Sequence, residues 1–327
     1  MSEVTSVVSP GKLMIAGEYS VLEPGGVAIA FAVDSGIRIS LQPAESDLIT
    51  SPALGFRGRT LKKDDEGKFV AVALECCRAR FPDPRSWHVT IEGGIRLNGE
   101  KVGLGDSASV VAGVVRTYLD AVVQGKPPEG LNIALEAHYR ASGDTGSGYD
   151  VATSFLGSAI LYGPPNRLQK HRGDNELLAP EYLEVLEWPQ SLYWGAGFCG
   201  KGVSTRGLLS SLSATPASDM KELSRLTRAC AEAWVGGQVS LILATLSVLD
   251  PALERWSASR GVSLFTPAMQ EMRRIALSNS AVPRVSGAGG GDSLLVFSDS
   301  EEAVAVVLEE WSAAGYPKLP LFATGAK

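Results

Sequence analysis

Apolar positions along this chain recur with two spacings, and the switches between them predict an order of strands and helices. Residues 4–8 and 13–16 read as short extended segments on either side of a turn at Pro10-Gly11, and residues 27–33 with 37–41 read as a second strand pair. Residues 69–80 (FVAVALECCRAR) then carry apolar side chains at helical spacing, and residues 87–94 alternate as a strand does. The small and apolar residues of 107–123 predict a buried helix, followed by further helices at 130–140 and 150–155.

The segment 163–189 breaks the pattern with Pro164, Pro165, Pro180 and Pro189 among many charges, which predicts a lobe boundary. The expected division is an N-terminal domain of residues 1–188 and a C-terminal domain of residues 189–327. Beyond the boundary the spacing predicts a strand at 191–199 and helices at 218–236, 238–247 and 266–279. Strands at 282–285 and 293–297, a helix at 300–314 and a last strand at 318–323 complete the chain. No internal repeat stands out, which argues against a solenoid.

Charge narrows the partners. Thirty Lys plus Arg against 36 Asp plus Glu give a net charge of -6 with no long run of either sign, so neither nucleic acid nor an anionic membrane is an expected partner. An anionic ligand must then be attracted locally, by backbone N–H groups and a few placed cations. Cys76, Cys77, Cys199 and Cys230 form neither a zinc ribbon nor a disulfide framework, and no stretch reaches the ~18 apolar residues of a membrane span. The absence of a signal-like start adds to the expectation of a reduced, cytoplasmic setting. His88, His138 and His171 form no close cluster, which disfavours a catalytic zinc.

Glycine-rich loops supply the candidate chemistry: Pro10-Gly11-Lys12 with Gly17-Glu18-Tyr19, then Gly103-Leu104-Gly105-Asp106-Ser107-Ala108-Ser109, then Gly146-Ser147-Gly148-Tyr149-Asp150, then Ser286-Gly287-Ala288-Gly289-Gly290-Gly291-Asp292. Without a Cβ, successive N–H groups can converge on an anion, and a helix starting at the loop adds its free amides and dipole. The second loop leads straight into the helix at 107, where Ser107 can reach a phosphate or a magnesium ion; the same residues also suit a tight turn with a serine N-cap. There is no G-x-x-x-x-G-K-[ST] phosphate loop. The loose G-x-G-x-x-A match at Gly103 to Ala108 is preceded by polar residues 96–101, where a nicotinamide-binding fold needs a buried strand.

In this order and at these separations the loops resemble the signature motifs of the GHMP kinases, and in detail those of phosphomevalonate kinases. PGKLMIAGEYSVLEPG resembles the first motif, KVGLGDSASVV the second, AHYRASGDTGSGYDVATSFLGS the next, CGKGVSTRGLL a G-K-x-x-S-T-R element, and PRVSGAGGGDS the last. The resemblance runs from Pro10 to about Asp292. It implies an α+β, two-lobed fold with an N-terminal ribosomal-protein-S5-like, nucleotide-binding domain and a C-terminal ferredoxin-like domain. The active site would lie between them, and the chain would act as a monomer or homodimer.

The same resemblance implies ATP-dependent, Mg2+-assisted phosphoryl transfer to a small anionic metabolite, phosphomevalonate. Asp150 would be the catalytic carboxylate and Lys12 its partner. ATP would be held by Lys101, Gly103, Leu104, Gly105, Asp106, Ser107, Ala108 and Ser109, and Mg2+ by Ser107 and Asp106. The acceptor would meet Lys12, Glu18, Tyr19, Ser147, Gly148, Lys201, Ser204, Thr205, Arg206, Ser286, Gly287, Ala288, Gly289 and Gly290. Two departures stand out: Asp106 where the family has serine, and Ser142 where it has glutamine. The first leaves room for a mevalonate or sugar kinase, or for a nucleotide-binding regulator with impaired chemistry.

Overall fold

The computed structural model describes residues 4–63, 66–94, 96–97, 100–143, 146–165, 177–200 and 217–324. Strand β1 runs unbroken over Thr5–Ala16 and pairs antiparallel with β2, Ala28–Ala44. The turn expected at Pro10-Gly11 is instead an irregularity within the ladder: Pro10 faces Gly36 while Gly11 faces Val33, so Asp34 and Ser35 of β2 are unmatched. Proline has no N–H to give to a ladder, and a bulge absorbs the missing bond. The next residue must be small, because a Cβ on Gly11 would lie 2.8 Å from the Ser35 carbonyl oxygen.

β3 (Leu48–Ser51), β4 (Phe56–Thr60) and β5 (Ser86–Gly93) extend this sheet on one side. Helix α1 (Lys68–Arg80) precedes β5, and the two-residue strands β6 (Arg96–Leu97) and β7 (Glu100–Lys101) lead into α2 (Asp106–Tyr118). Then come α3 (Gly130–Ala141), α4 (Tyr149–Leu156), β8 (Ala159–Gly163) and β9 (Tyr182–Leu186). The sheet order is β4-β3-β5-β2-β8-β9, with β1 also on β2. β9 lies inside the proline-rich segment expected to hold a lobe boundary.

The C-terminal part of the chain contains β10 (Tyr193–Phe198), α5 (Ala217–Val235), α6 (Val239–Ala258), α7 (Pro267–Ser278), β11 (Val282–Val285), β12 (Ser293–Ser298) and α8 (Glu301–Ala313). Its sheet order is β10-β12-β11. Helix α6 runs past the expected end at 247 and contains Pro251. Buried Leu249, Leu253 and Trp256 hold the helix against the core beyond the proline, so packing overrides the local breaker. The expected last strand at 318–323 is reduced to isolated bridges, Gly197 with Lys318 and Val33 with Ala323. Pro317 and Pro320 remove the donors that a continuous ladder needs.

Two cores result. Ile37, Ile39 and Leu41 of β2 pack with Trp87, Val89 and helices α1 to α4. On the other side of the irregularity, Ile29, Phe31 and Val33 pack with Leu253, Met272, Phe297 and Trp311 of the second lobe. One strand therefore serves both cores, and β1 beside it carries the first glycine motif into the seam between the lobes.

Candidate active site

Lys12 sits at the centre of the assembled loops. Its backbone N–H donates to the Leu104 carbonyl at 3.0 Å, which ties β1 to the loop ahead of α2. Gly103 (φ 71°) and Gly105 (φ 82°) both adopt the left-handed conformation. A Cβ on Gly105 would stand 2.9 Å from Lys12 Cε, so only glycine lets the loop lie on the lysine stem. The ammonium is 3.5 Å from the Gly103 carbonyl and 5.6 Å from the centre of the Tyr149 ring. Burial by itself would lower the Lys12 pKa; Tyr149, Asp150 and Asp292 outweigh it, and the net displacement is upward. Lys12 is thus a buried, fixed positive charge at neutral pH.

Helix α2 starts beside it. Its N-cap is Gly105, which makes no side-chain cap hydrogen bond, and the leading amides and positive end of the helix dipole begin directly at the glycine loop. Ser107 lies in that turn with its hydroxyl 3.4 Å from His138 Nε2 on α3. Asp106 precedes it, partly exposed. Ala108 and Ser109 are buried instead: the Ser109 hydroxyl donates to the Pro10 carbonyl at 2.8 Å and fastens α2 to β1. Leu104 is buried in the interlobe core, and Lys101 belongs to β7.

Helix α4 delivers Asp150 by the same device. Gly148 (φ 89°) is its N-cap, and a Cβ there would meet Leu135 Cδ2 and the Tyr162 hydroxyl, each at 2.8 Å. The Tyr162 hydroxyl donates to the Ser147 carbonyl at 3.0 Å, which fixes the turn. Asp150 stands in the first turn, where its Oδ1 accepts the Val151 N–H at 2.9 Å. Lys12, Gly103, Gly105 and Asp150 are therefore brought together.

The first and last motifs interlock across the lobes. The Met14 N–H donates to Ser286 Oγ at 2.9 Å, and the Tyr19 hydroxyl donates to the Ala288 carbonyl at 2.6 Å. Gly290 N–H donates to the Leu264 carbonyl at 2.7 Å, where Gly289 also approaches closely, whereas a Cβ on Gly287 would meet nothing. Glu18, expected at the acceptor, is buried with its carboxylate on the Arg284 guanidinium at 2.6 Å. Arg284 also pairs with Asp250 and donates from Nε to the Ile15 carbonyl at 3.0 Å. Burial pushes the Glu18 pKa up to about 7 against the opposing pull of Arg284, whose charge is shared with Asp250. Lys201, Ser204, Thr205 and Arg206 lie outside the described residues.

Three residues of this assembly were given no role in the sequence reading, although two of them fall within its last motif: Arg284, Asp250 and Asp292. For the first two a signal was present, since each is a charge inside an apolar run (VPRV and SVLDPAL) and so a candidate for buried pairing. Asp292 ends the glycine run, where its character as a loop residue masked it. Among the described residues no group of three or more His, Cys, Asp or Glu is placed to hold a metal ion, and no helix is long and apolar enough to cross a membrane.

Comparison with known proteins gives this arrangement a family. A model of the GHMP kinase N-terminal domain matches residues 68–158, and one of the GHMP kinase C-terminal domain matches residues 212–317, together more than half of the chain. A phosphomevalonate kinase from Streptomyces sp. (strain CL190) is 29% identical, with 96% of this chain and 95% of the relative covered. One from Saccharolobus solfataricus is 26% identical, with 94% of each covered. Among solved structures, Streptococcus pneumoniae phosphomevalonate kinase in complex with phosphomevalonate and AMPPNP superposes with a TM-score of 0.82 at 21% identity, covering 97% of this chain and 99% of the other. The two-lobed α+β fold and the matched domains agree: the chain belongs to the GHMP kinases, a family of ATP-dependent phosphotransferases.

Proposed function

We propose that this kinase transfers the γ-phosphoryl group of ATP to phosphomevalonate, giving mevalonate diphosphate. The observation that carries the reading is the fixed Lys12 ammonium, held beside the N-terminus of α2 and within electrostatic reach of Asp150 on α4. Phosphoryl transfer requires alignment and neutralisation of spreading negative charge more than covalent help from the protein. The α2 amides would hold the ATP phosphates, and Lys12 would neutralise charge on the transferring group. Two nearly full-length relatives named phosphomevalonate kinase support the choice of acceptor.

A phosphate acceptor alters the role of Asp150. The second phosphate pKa is ~6, so such a nucleophile is already largely ionised near pH 7 and has little need of a general base. Asp150 then serves chiefly to keep Lys12 charged and placed. Mg2+ suits the first turn of α2, because it is held by one or two protein oxygens together with substrate phosphates, and Ser107 and Asp106 offer a hydroxyl and a carboxylate there. When bound, it supplies charge neutralisation at the phosphates. The test is ADP release from ATP with mevalonate and phosphomevalonate in parallel. Turnover with phosphomevalonate and little with mevalonate is expected; the reverse preference would reassign the acceptor to an alcohol.

A further inference from the structure

We propose that Asp292 is a positioning residue of the phosphoryl-transfer site, a carboxylate set by the C-terminal lobe against the nucleotide loop so that it orients the Lys12 ammonium. The inference rests on the kinase reading above and deepens it. Asp292 closes the last glycine run, immediately before β12, in the left-handed conformation at φ 62°. Its backbone is pinned on both sides. The N–H donates to the Gly200 carbonyl at 2.9 Å, and the carbonyl accepts the Cys199 N–H at 2.8 Å. The next residue fastens the loops directly, since the Ser293 hydroxyl donates to the Val102 carbonyl at 3.2 Å.

This anchoring leaves the side chain little choice of place. A Cβ added to Gly103 would lie 2.5 Å from Asp292 Oδ2 and 2.6 Å from its Cγ, so the carboxylate fills the space that the missing side chain of Gly103 provides. The Gly103 carbonyl on the same residue lies 3.5 Å from Lys12 Nζ. Among the described residues, the charged or titratable groups that act on Lys12 are Tyr149 and Asp150 from α4 and Asp292 from the other lobe. A carboxylate beside a triphosphate-binding loop opposes phosphate unless a nearby cation offsets it, and Lys12, on the other side of Gly103, is a cation on which Asp292 acts. Asp292 thus makes the position of Lys12 depend on the lobes being together: separate them, and Lys12 keeps only the partners of its own lobe.

Asp292→Asn is the informative substitution. Asparagine tolerates the left-handed backbone and keeps the shape of the side chain while removing the charge. With phosphomevalonate as acceptor, kcat is expected to fall roughly 10- to 100-fold, as for a small misplacement of a catalytic group, with KM for the acceptor little changed. Combined with Lys12→Met, the substitution is expected to add almost nothing, because a residue that acts through Lys12 has no effect once Lys12 is gone. A second readout does not require turnover. In protein labelled with 13C-lysine, the Lys12 Cε resonance, assigned by its loss in Lys12→Arg, is expected to titrate at lower pH in Asp292→Asn than in the wild type. Wild-type kcat with an unmoved Lys12 titration would overturn the proposal, as would full additivity with Lys12→Met. A wild type that turns over no phosphomevalonate would sink the acceptor assignment alone, and the Lys12 titration would still decide the role of Asp292.

Discussion

At the residue scale, Lys12 has to stay charged although nearly all of its side chain is out of water. Lys12 is 8% exposed, and desolvation opposes its charge more than any other single influence. Tyr149, Asp150 and Asp292 reverse that effect, so removing either carboxylate is expected to lower the Lys12 pKa. Lys12→Ala is expected to lower kcat by about 100-fold or more, the scale on which a preorganised charge-stabilising donor contributes. Asp150→Asn is expected to fall short of that loss, because an ionised phosphate acceptor needs no strong base. Circular dichroism should show both variants folded. Near-normal turnover in both would remove the mechanism.

At the element scale, the site depends on two helices that start at left-handed glycines. Gly148→Ala puts a Cβ against Leu135 and the Tyr162 hydroxyl and strains a backbone at φ 89°, with about 1–3 kcal/mol from the backbone alone. The expected result is a lower thermal midpoint together with lost turnover, because the start of α4 moves and takes Asp150 with it. Gly146→Ala is the control: its φ is also positive, at 97°, but nothing stands within 4 Å of the added Cβ. That pair separates backbone strain from displacement of the helix by differential unfolding and kcat measurements.

Much of this scale was legible in advance. The loops at 103–109, 146–150 and 286–292 were readable because consecutive small residues have few structural uses other than close approach. Helices α1, α2, α3, α5, α7 and α8 followed from apolar spacing. What was not legible depended on partners distant in sequence. β9 hides among prolines because it becomes a strand only by pairing with β8. The second half of α6 hides behind Pro251, and Glu18 read as a substrate contact because Arg284 lies 266 positions away.

At the scale of the whole molecule, the lobes are joined by a shared apolar core and by a buried cluster of Glu18, Arg284 and Asp250, with the Arg273 Nε 3.7 Å from Asp250. Such a cluster adds little net stability compared with an apolar replacement, but losing one member leaves the others unpaired. Arg284→Met is expected to destabilise the protein by about 3–5 kcal/mol in chemical denaturation. The cluster also has a pH signature. Glu18 holds its proton more tightly in the folded state, so its contribution is complete below its usual pKa of 4.5 and is lost as pH rises through about 7. Asp250, also displaced upward by burial, acts in the same sense. Glu18→Gln is therefore expected to flatten the decline in stability across that window; an unchanged slope would show that Glu18 is not its source.

In the proposed reaction the phosphoryl group passes from ATP to an acceptor that is itself a phosphate, through a site built on Lys12. Phosphorus-31 NMR of ATP and phosphomevalonate incubated with the wild-type protein tests this most directly. The phosphomonoester resonance of the acceptor is expected to give way to a pair of coupled diphosphate resonances as ADP appears, and Lys12→Ala to abolish the conversion on the same time scale. An unchanged phosphomonoester resonance while ATP is consumed, or a second phosphomonoester signal from transfer to an alcohol, would contradict it.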